Sequence, residues 1–179
     1  MKEFQESFYL NFIEDDRWEY IVDGLAVTLK VTFFAVIIGI LLGFLVGIIR
    51  STYERTGRMK VLNAVCKAYL TVIRGTPVLV QLLIIYFVIF ASTNVSKELA
   101  AVIAFGVNSG AYVAEICRSG IMSIDIGQLE AGRSLGFSYW QTMWYIIMPQ
   151  ALKNVLPALG NEFIVLLKET SVSGYIALG

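Results

Sequence analysis

The chain of 179 residues is 57% hydrophobic and 16% charged, with a formal net charge of zero. Soluble domains average about 25% charged residues, so the composition indicates a membrane protein, and the zero net charge gives no sign of nucleic-acid binding. The sequence has no histidine, and its two cysteines, Cys66 and Cys117, lack a CxxC spacing, so we expect neither a metal site nor a disulfide framework.

The first 24 residues are acidic. They hold seven carboxylates against Lys2 and Arg17, and they lack the apolar core of a signal peptide. We interpret residues 1–24 as an extracytoplasmic segment and residues 25–179 as one transmembrane domain.

Two charge-free runs predict the first two membrane spans. Residues 31–49 form a run of 19 residues, and residues 75–96 form a run of 22. A helix needs about 20 mostly apolar residues to cross a bilayer, so we place these spans at about 25–49 and 70–93. The alternative is a soluble, all-helical protein with buried core helices. We disfavour it because runs of this length exceed ordinary core helices.

The first predicted span carries Gly39, Gly43 and Gly47 at four-residue spacing. This spacing puts all three on one face, where the backbone of another helix can approach closely. We expect close packing there, either within the chain or between subunits. The alternative is that glycine is simply common in membrane helices.

Two further spans are predicted at about 98–117 and 143–168. Residues 99–114 are free of charge, whereas the last span is interrupted by Lys153 and Glu162. Charge does not disqualify a span, because ionisable residues inside a membrane are typically functional.

The distribution of charge predicts the topology. Residues 50–74 contain six basic residues and one acid, whereas acids dominate residues 1–24. Because basic loops stay in the cytoplasm, we expect the N-terminus outside and the segment between the third and fourth spans inside.

That cytoplasmic segment contains a glycine-marked pattern, with EAGR at 130–133, a glycine at 136 and IIMP at 146–149. A helix over about 128–138 would place Glu130 and Arg133 on neighbouring positions of one face. Gly136 suits a helix end that turns left-handed. The alternative is an ordinary amphipathic surface helix between two spans.

Polar residues share faces on the last two spans. In the fourth span Asn154, Asn161 and Lys168 recur every seven residues, and Glu162 and Glu169 follow on the adjacent stripe. In lipid, such a face must point into the helix bundle or a wet cavity. A face of this kind could recognise a zwitterion. The excess of acids over lysine favours an amino acid with a cationic side chain as the substrate.

On the third span, Asn108, Tyr112 and Glu115 also align along one face. The candidate substrate path therefore consists of Asn108, Glu115, Asn161, Glu162, Lys168 and Glu169. The alternative is that Glu162 and Lys168 are structural partners that close salt bridges between helices.

Several motifs resemble one protein family. They are the 130–149 segment, IRGTPVLVQ at 73–81, AYVAEI at 111–116 with RSGI at 118–121, PALGNEFI at 157–164 and LLKETS at 166–171. In this order they resemble the permease subunits of binding-protein-dependent, type I ABC importers for polar and basic amino acids, the histidine, arginine and glutamine permeases among them.

The resemblance implies an all-α integral membrane fold with four spans in this chain and a cytoplasmic coupling helix at about 128–138. It implies that the ATPase docks on Glu130, Ala131, Gly132, Arg133 and Gly136. The chain departs from the family pattern at Gly132, where a second alanine is usual, and at Met148, where leucine is usual. Trp144 and Tyr145 stand where basic residues are common. The family usually has a fifth span, so we expect this sequence to be truncated.

The resemblance also implies partners. The sequence contains no GxxxxGK[ST] phosphate-binding loop. We therefore expect no catalytic residues and no cofactor bound by this chain, with ATP and Mg²⁺ on the partner ATPase. The implied assembly is a bacterial inner-membrane complex of two ATPase subunits, two permease subunits forming a homodimer, and an extracytoplasmic solute-binding protein, surrounded by membrane lipid.

Two other functions remain open at this point. An ion-coupled secondary carrier would use Glu115, Glu162 and Lys168 as a proton relay. A membrane scaffold that transports nothing would not need an aligned polar face in the fourth span.

Overall fold

A computed structural model describes residues 9–178, apart from the side chains of residues 12 and 15, and every regular element in that range is helical. The main elements are helices α1 (Trp18–Thr56), α2 (Lys60–Gly75), α3 (Val78–Ile84, continued by the π-helical turn Ile85–Ile89), α4 (Lys97–Met122), α5 (Ile126–Ser134), α6 (Tyr139–Thr142, continued by the π-helical turn Met143–Ile147) and α7 (Met148–Glu169). Short turns at Tyr9–Ile13 and Glu14–Asp16 precede α1, and a 3₁₀ helix at Thr170–Ile176 follows α7.

Within the described residues, α1 and α4 are the two helices long and apolar enough to cross a bilayer alone. The pair α2 and α3 passes the same test as one unit but is bent by 106°. Helix α7 covers most of the range predicted for the fourth span but carries Lys153, Glu162 and Lys168, and it does not pass on composition. Its crossing of the membrane therefore stays a prediction.

Helices α1 and α4 run parallel in a nearly constant register. The Lys30 ammonium pairs with Glu98, 68 positions later, at one end, and Arg55 bonds to the carbonyl of Ile121, 66 positions later, at the other. Two parallel spans require the chain between them to return across the bilayer. Helices α2 and α3 form that return segment.

Close contact between α1 and α4 confirms the prediction from the glycine spacing and shows that the packing partner lies within the chain. A Cβ atom built on Gly43 would lie 2.4 Å from the Cβ of the facing residue, and one on Gly47 would lie 2.8 Å away. Gly39 is equally tight, with 2.9 Å to the facing side-chain oxygen. The facing residues of α4 are Ser109, Val113 and Cys117.

The range 70–93, predicted as one span, is interrupted at Pro77. Proline has no N–H, so the carbonyl of Ile73 loses its helical partner. The buried side chain of Gln81 replaces it, since Nε2 donates to that carbonyl at 2.6 Å and also to the hydroxyl of Thr76 at 2.8 Å. Its Oε1 accepts from Nδ2 of Asn108 at 3.0 Å, which fixes the bend against α4.

Two buried apolar clusters lie at opposite ends of α4. One surrounds Ala101 and Phe105 and includes Leu82 of α3 and Leu166 of α7. The other surrounds Ile121 and reaches the segment between α5 and α7. The second cluster supports the segment between α4 and α7, which carries the glycine-marked pattern.

We expect Gly43→Ala to destabilise the chain by about 1–3 kcal/mol, because the added methyl group overlaps Val113 in a packed contact. Gly24→Ala is the matched control on the same helix, since nothing lies within 4 Å of its Cβ position. The measurement is the thermal unfolding midpoint of each purified variant. Equal midpoints for Gly43→Ala and Gly24→Ala would contradict the close contact.

Candidate functional site

Helix α5, which we call the docking helix, has defined ends. Asp125 caps its start by accepting a hydrogen bond from the N–H of Gly127 at 2.6 Å. At its other end Gly136 has φ of +86°, and the N–H of Phe137 bonds to the carbonyl of Gly132 at 3.1 Å. This confirms the left-handed turn predicted at Gly136. The helix spans Ile126–Ser134, whereas 128–138 was predicted.

The docking helix has one exposed and one buried side. Glu130, Ala131 and Arg133 are exposed, and Gly132 is buried. A Cβ atom on Gly132 would lie 2.5 Å from Cγ2 of Thr142, so this departure from the family pattern has a packing reason here. Arg133 donates to the carbonyl of Phe137 at 3.0 Å, and no ion pair joins it to Glu130 in the described part of the chain.

The C-terminal end of α1 is bonded to the chain on both sides of the docking helix. One guanidinium nitrogen of Arg55 donates to the carbonyls of Ile121 and Ile124, at 2.8 and 3.0 Å. The hydroxyl of Tyr139 donates to that of Thr52 at 3.3 Å. The docking helix is therefore held between two contacts with α1.

Glu115 is the centre of a charge network. Its carboxylate pairs with Arg50 of α1 at 2.8 Å and Arg118 of α4 at 3.0 Å, and it lies 3.9 Å from Arg74 of α2. Glu54 adds contacts to Arg118 at 3.1 Å and Arg50 at 3.5 Å. The network joins three helices and combines three cations with two anions.

Sequence reasoning treated Arg50 and Arg74 as loop charges and Arg118 as part of a family motif, and it missed the network. Its cross-helix partners are 41, 64 and 65 positions apart, so no local spacing identifies them. Only the pairs Arg50–Glu54 and Glu115–Arg118 lie at helical spacing.

Glu115, predicted in the substrate path, is placed in this network. A groove between α4 and α7 opens beside it, and Asn154 bonds to Ser123 there at 3.0 Å.

The other residues of the predicted substrate path fall into two groups. Asn108 is buried against Gln81, and Glu162 and Glu169 are half-buried. Asn161 and Lys168 are exposed on the open side of α7.

A hydrogen bond brings α7 to α4 at this level, because the hydroxyl of Ser109 donates to the carboxylate of Glu162 at 3.0 Å. Among the described residues neither Glu162 nor Lys168 forms an ion pair, so the structural interpretation of these two residues as salt-bridge partners is not supported. Their role in substrate passage stays a prediction.

Comparison with known proteins relates the chain to membrane transport. Residues 36–179 match the family described as binding-protein-dependent transport system inner membrane component. The glutamine transport system permease protein GlnP of Escherichia coli is 39% identical over 84% of this chain and 68% of its own length. The arginine transport system permease protein ArtQ of Bacillus subtilis is 40% identical over 89% of this chain and 72% of its own.

A solved structure shares both sequence and fold. It is the crystal structure of an amino acid ABC transporter with histidines, and it aligns at a TM-score of 0.77 with 47% identity. The alignment covers 88% of this chain and 72% of that chain. The similarity therefore extends over most of the described helices.

We expect Gly136→Val to strain the end of the docking helix by about 1–2 kcal/mol, because a side chain disfavours positive φ. Gly160→Ala is the matched control, since both glycines have free space around them but only Gly136 has positive φ. Hydrogen exchange of residues 130–138 in the folded protein is the measurement. Unchanged exchange in Gly136→Val would show that the turn tolerates a side chain.

Proposed function

The chain belongs to the family of binding-protein-dependent transport system inner membrane components, and on this basis we propose that it is the permease subunit of an ABC importer for polar amino acids. The family match over residues 36–179 is the observation that carries the assignment. The capped docking helix, with an exposed side and a buried side, is the structural feature that agrees with it.

In this proposal the chain moves the substrate and a partner supplies the energy. The sequence has no phosphate-binding loop, so ATP would be bound and hydrolysed on a separate ATPase subunit. The exposed side of the docking helix, with Glu130 and Ala131, would contact that subunit. The basic segment at 50–74 supports a cytoplasmic location for this end and an outside location for the N-terminus.

The assembly would contain two ATPases, two copies of this permease and an extracytoplasmic solute-binding protein. ATP-driven closure of the ATPases would push on both docking helices and switch the spans between inward- and outward-facing packings. Such switching needs two packed states and a ligand that favours one of them.

The proposed substrate path follows the polar side of α7 and α4. Asn108 bonds to α3 and Glu162 bonds to α4. Asn161 and Lys168 face the open side of α7. Two acids, Glu162 and Glu169, against one lysine favour a substrate with a cationic side chain. The relatives named for glutamine and arginine transport are compatible with this range of substrates.

Glu115 would contribute to the path from its cytoplasmic side. Because three arginines surround its carboxylate, it would act together with them rather than as an isolated acid. The same surroundings argue against a proton relay through Glu115, on which the secondary-carrier alternative depends.

We expect Glu130→Ala to lower the amount of ATPase that co-purifies with the permease by about tenfold, the effect of losing one charged hydrogen bond. Glu130 is exposed and has no partner in the described chain, so its removal leaves the fold intact. Glu19→Ala, an exposed acid near the start of α1, is the matched control. Equal co-purification of both variants would exclude Glu130 from the docking contact.

We expect Glu162→Gln to raise the KM for L-arginine uptake by about tenfold and to leave that for L-glutamine less affected, because only the cationic substrate loses a charge pair. The substitution keeps the hydrogen bond from Ser109. Uptake by the reconstituted complex with its binding protein is the measurement. Unchanged L-arginine uptake would refute a role of Glu162 in recognition.

A further inference from the structure

Arg55 lies at the last turn of α1, close to where α4 ends and the chain turns toward the docking helix. The last carbonyls of any helix have no partner within the helix and must find one elsewhere. At the end of α4, Arg55 contributes such a partner at 2.8 Å from the carbonyl of Ile121, which also accepts from the N–H of Ile124 at 3.4 Å. The same side chain lies 3.0 Å from the carbonyl of Ile124, just beyond the helix. The contact crosses from one helix to the connection that leads into another.

Within the described residues, the guanidinium of Arg55 has no other polar anchor. Its Nε and Nη1 atoms are buried and make no hydrogen bond, so the two carbonyls hold it alone. It is separate from the Glu115 network, whose arginines bind carboxylates. A substitution at Arg55 therefore removes one defined link between α1 and the docking loop.

A second hydrogen bond joins α1 to the segment that follows the docking helix. Tyr139 follows the docking helix, and its hydroxyl donates to Thr52, one turn before Arg55 on α1. The last turns of α1 thus contact the chain immediately before and after the docking helix. Motion of the docking helix relative to α1 would have to break both contacts.

We infer that Arg55 is a positioning residue that makes the cytoplasmic end of α1 move together with the docking helix when the ATPases close. This inference rests on the proposed function, because it assumes that an ATPase contacts α5. Through Arg55, α1 receives the motion together with α4, whose end leads directly into the docking helix. The close contact between α1 and α4 then carries the motion along the bundle.

The test is hydrogen exchange in the complete permease–ATPase complex, with and without MgATP and vanadate. In the wild type we expect residues 51–56 and residues 121–127 to change their exchange together. In Arg55→Gln we expect residues 121–127 to respond as before and the response of residues 51–56 to fall about tenfold, the effect of losing a hydrogen bond to a charged group. Arg55→Lys keeps the charge, but as a compact, strongly hydrated ammonium on a flexible stem. Its response of residues 51–56 should therefore lie between those of the wild type and Arg55→Gln.

Two further variants separate this role from a loss of folding. Arg58→Gln removes an exposed arginine three residues away whose side chain forms no ion pair in the described chain, and it should behave like the wild type. Tyr139→Phe removes only the second contact and should weaken the response of residues 51–56 by a smaller factor.

A wild-type response of residues 51–56 in Arg55→Gln, or a loss that Arg58→Gln shows equally, would overturn the inference. If Arg55→Gln does not fold, Arg55→Lys and Tyr139→Phe decide the question by the same comparison. No response of either segment in the wild-type complex would instead refute the docking proposal itself, and the inference with it.

Discussion

The backbone contact between α1 and α4 determines where the other functional groups of this chain lie. Glycine at every fourth position of α1 allows the two helices to approach until a single added methyl group would overlap the facing residue. The contact fixes a parallel register in which residues joined by side-chain contacts lie 64 to 70 positions apart. That register brings Arg50 to Glu115 and Arg55 to the end of α4. The charge network and the link to the docking helix both follow from it.

Two polar side chains of this bundle illustrate how groups away from water are paired within the chain. Gln81 satisfies the carbonyl that Pro77 leaves free, and Glu115 shares its charge with three arginines. These groups stabilise fixed joints between helices. The open side of α7 differs, because Asn161 and Lys168 are exposed and Lys168 forms no ion pair in the described chain. Paired side chains thus connect α1, α2 and α4, whereas α7 carries exposed polar side chains. This arrangement suits the proposed permease, in which the connected helices would move together beside a substrate path.

Local patterns predicted the features that depend on neighbouring residues. The glycine spacing predicted a close helix contact, and Gly136 predicted the left-handed end of the docking helix. The break at Pro77 was not predicted, because hydropathy registers one continuous apolar run and ignores the missing N–H. Gly132 looked like a weakness of the docking pattern until the position of Thr142 showed that a side chain would not fit. The link through Arg55 joins residues 66 and 69 positions apart and needs the register of α1 on α4.

The central functional proposal is that this chain moves the substrate while a separate ATPase supplies the energy. A permease driven through the docking helix uses the energy of ATP, whereas a carrier with an internal proton relay uses an ion gradient. The most direct test of permease against carrier is an uptake measurement with labelled L-arginine and L-glutamine. It uses proteoliposomes that contain the complete complex and its binding protein. We expect uptake to require ATP on the side of the membrane where the ATPases lie. Vanadate should stop uptake, and a protonophore that removes the proton gradient should leave it unchanged. Uptake that ignores vanadate and collapses with the gradient would contradict the assignment.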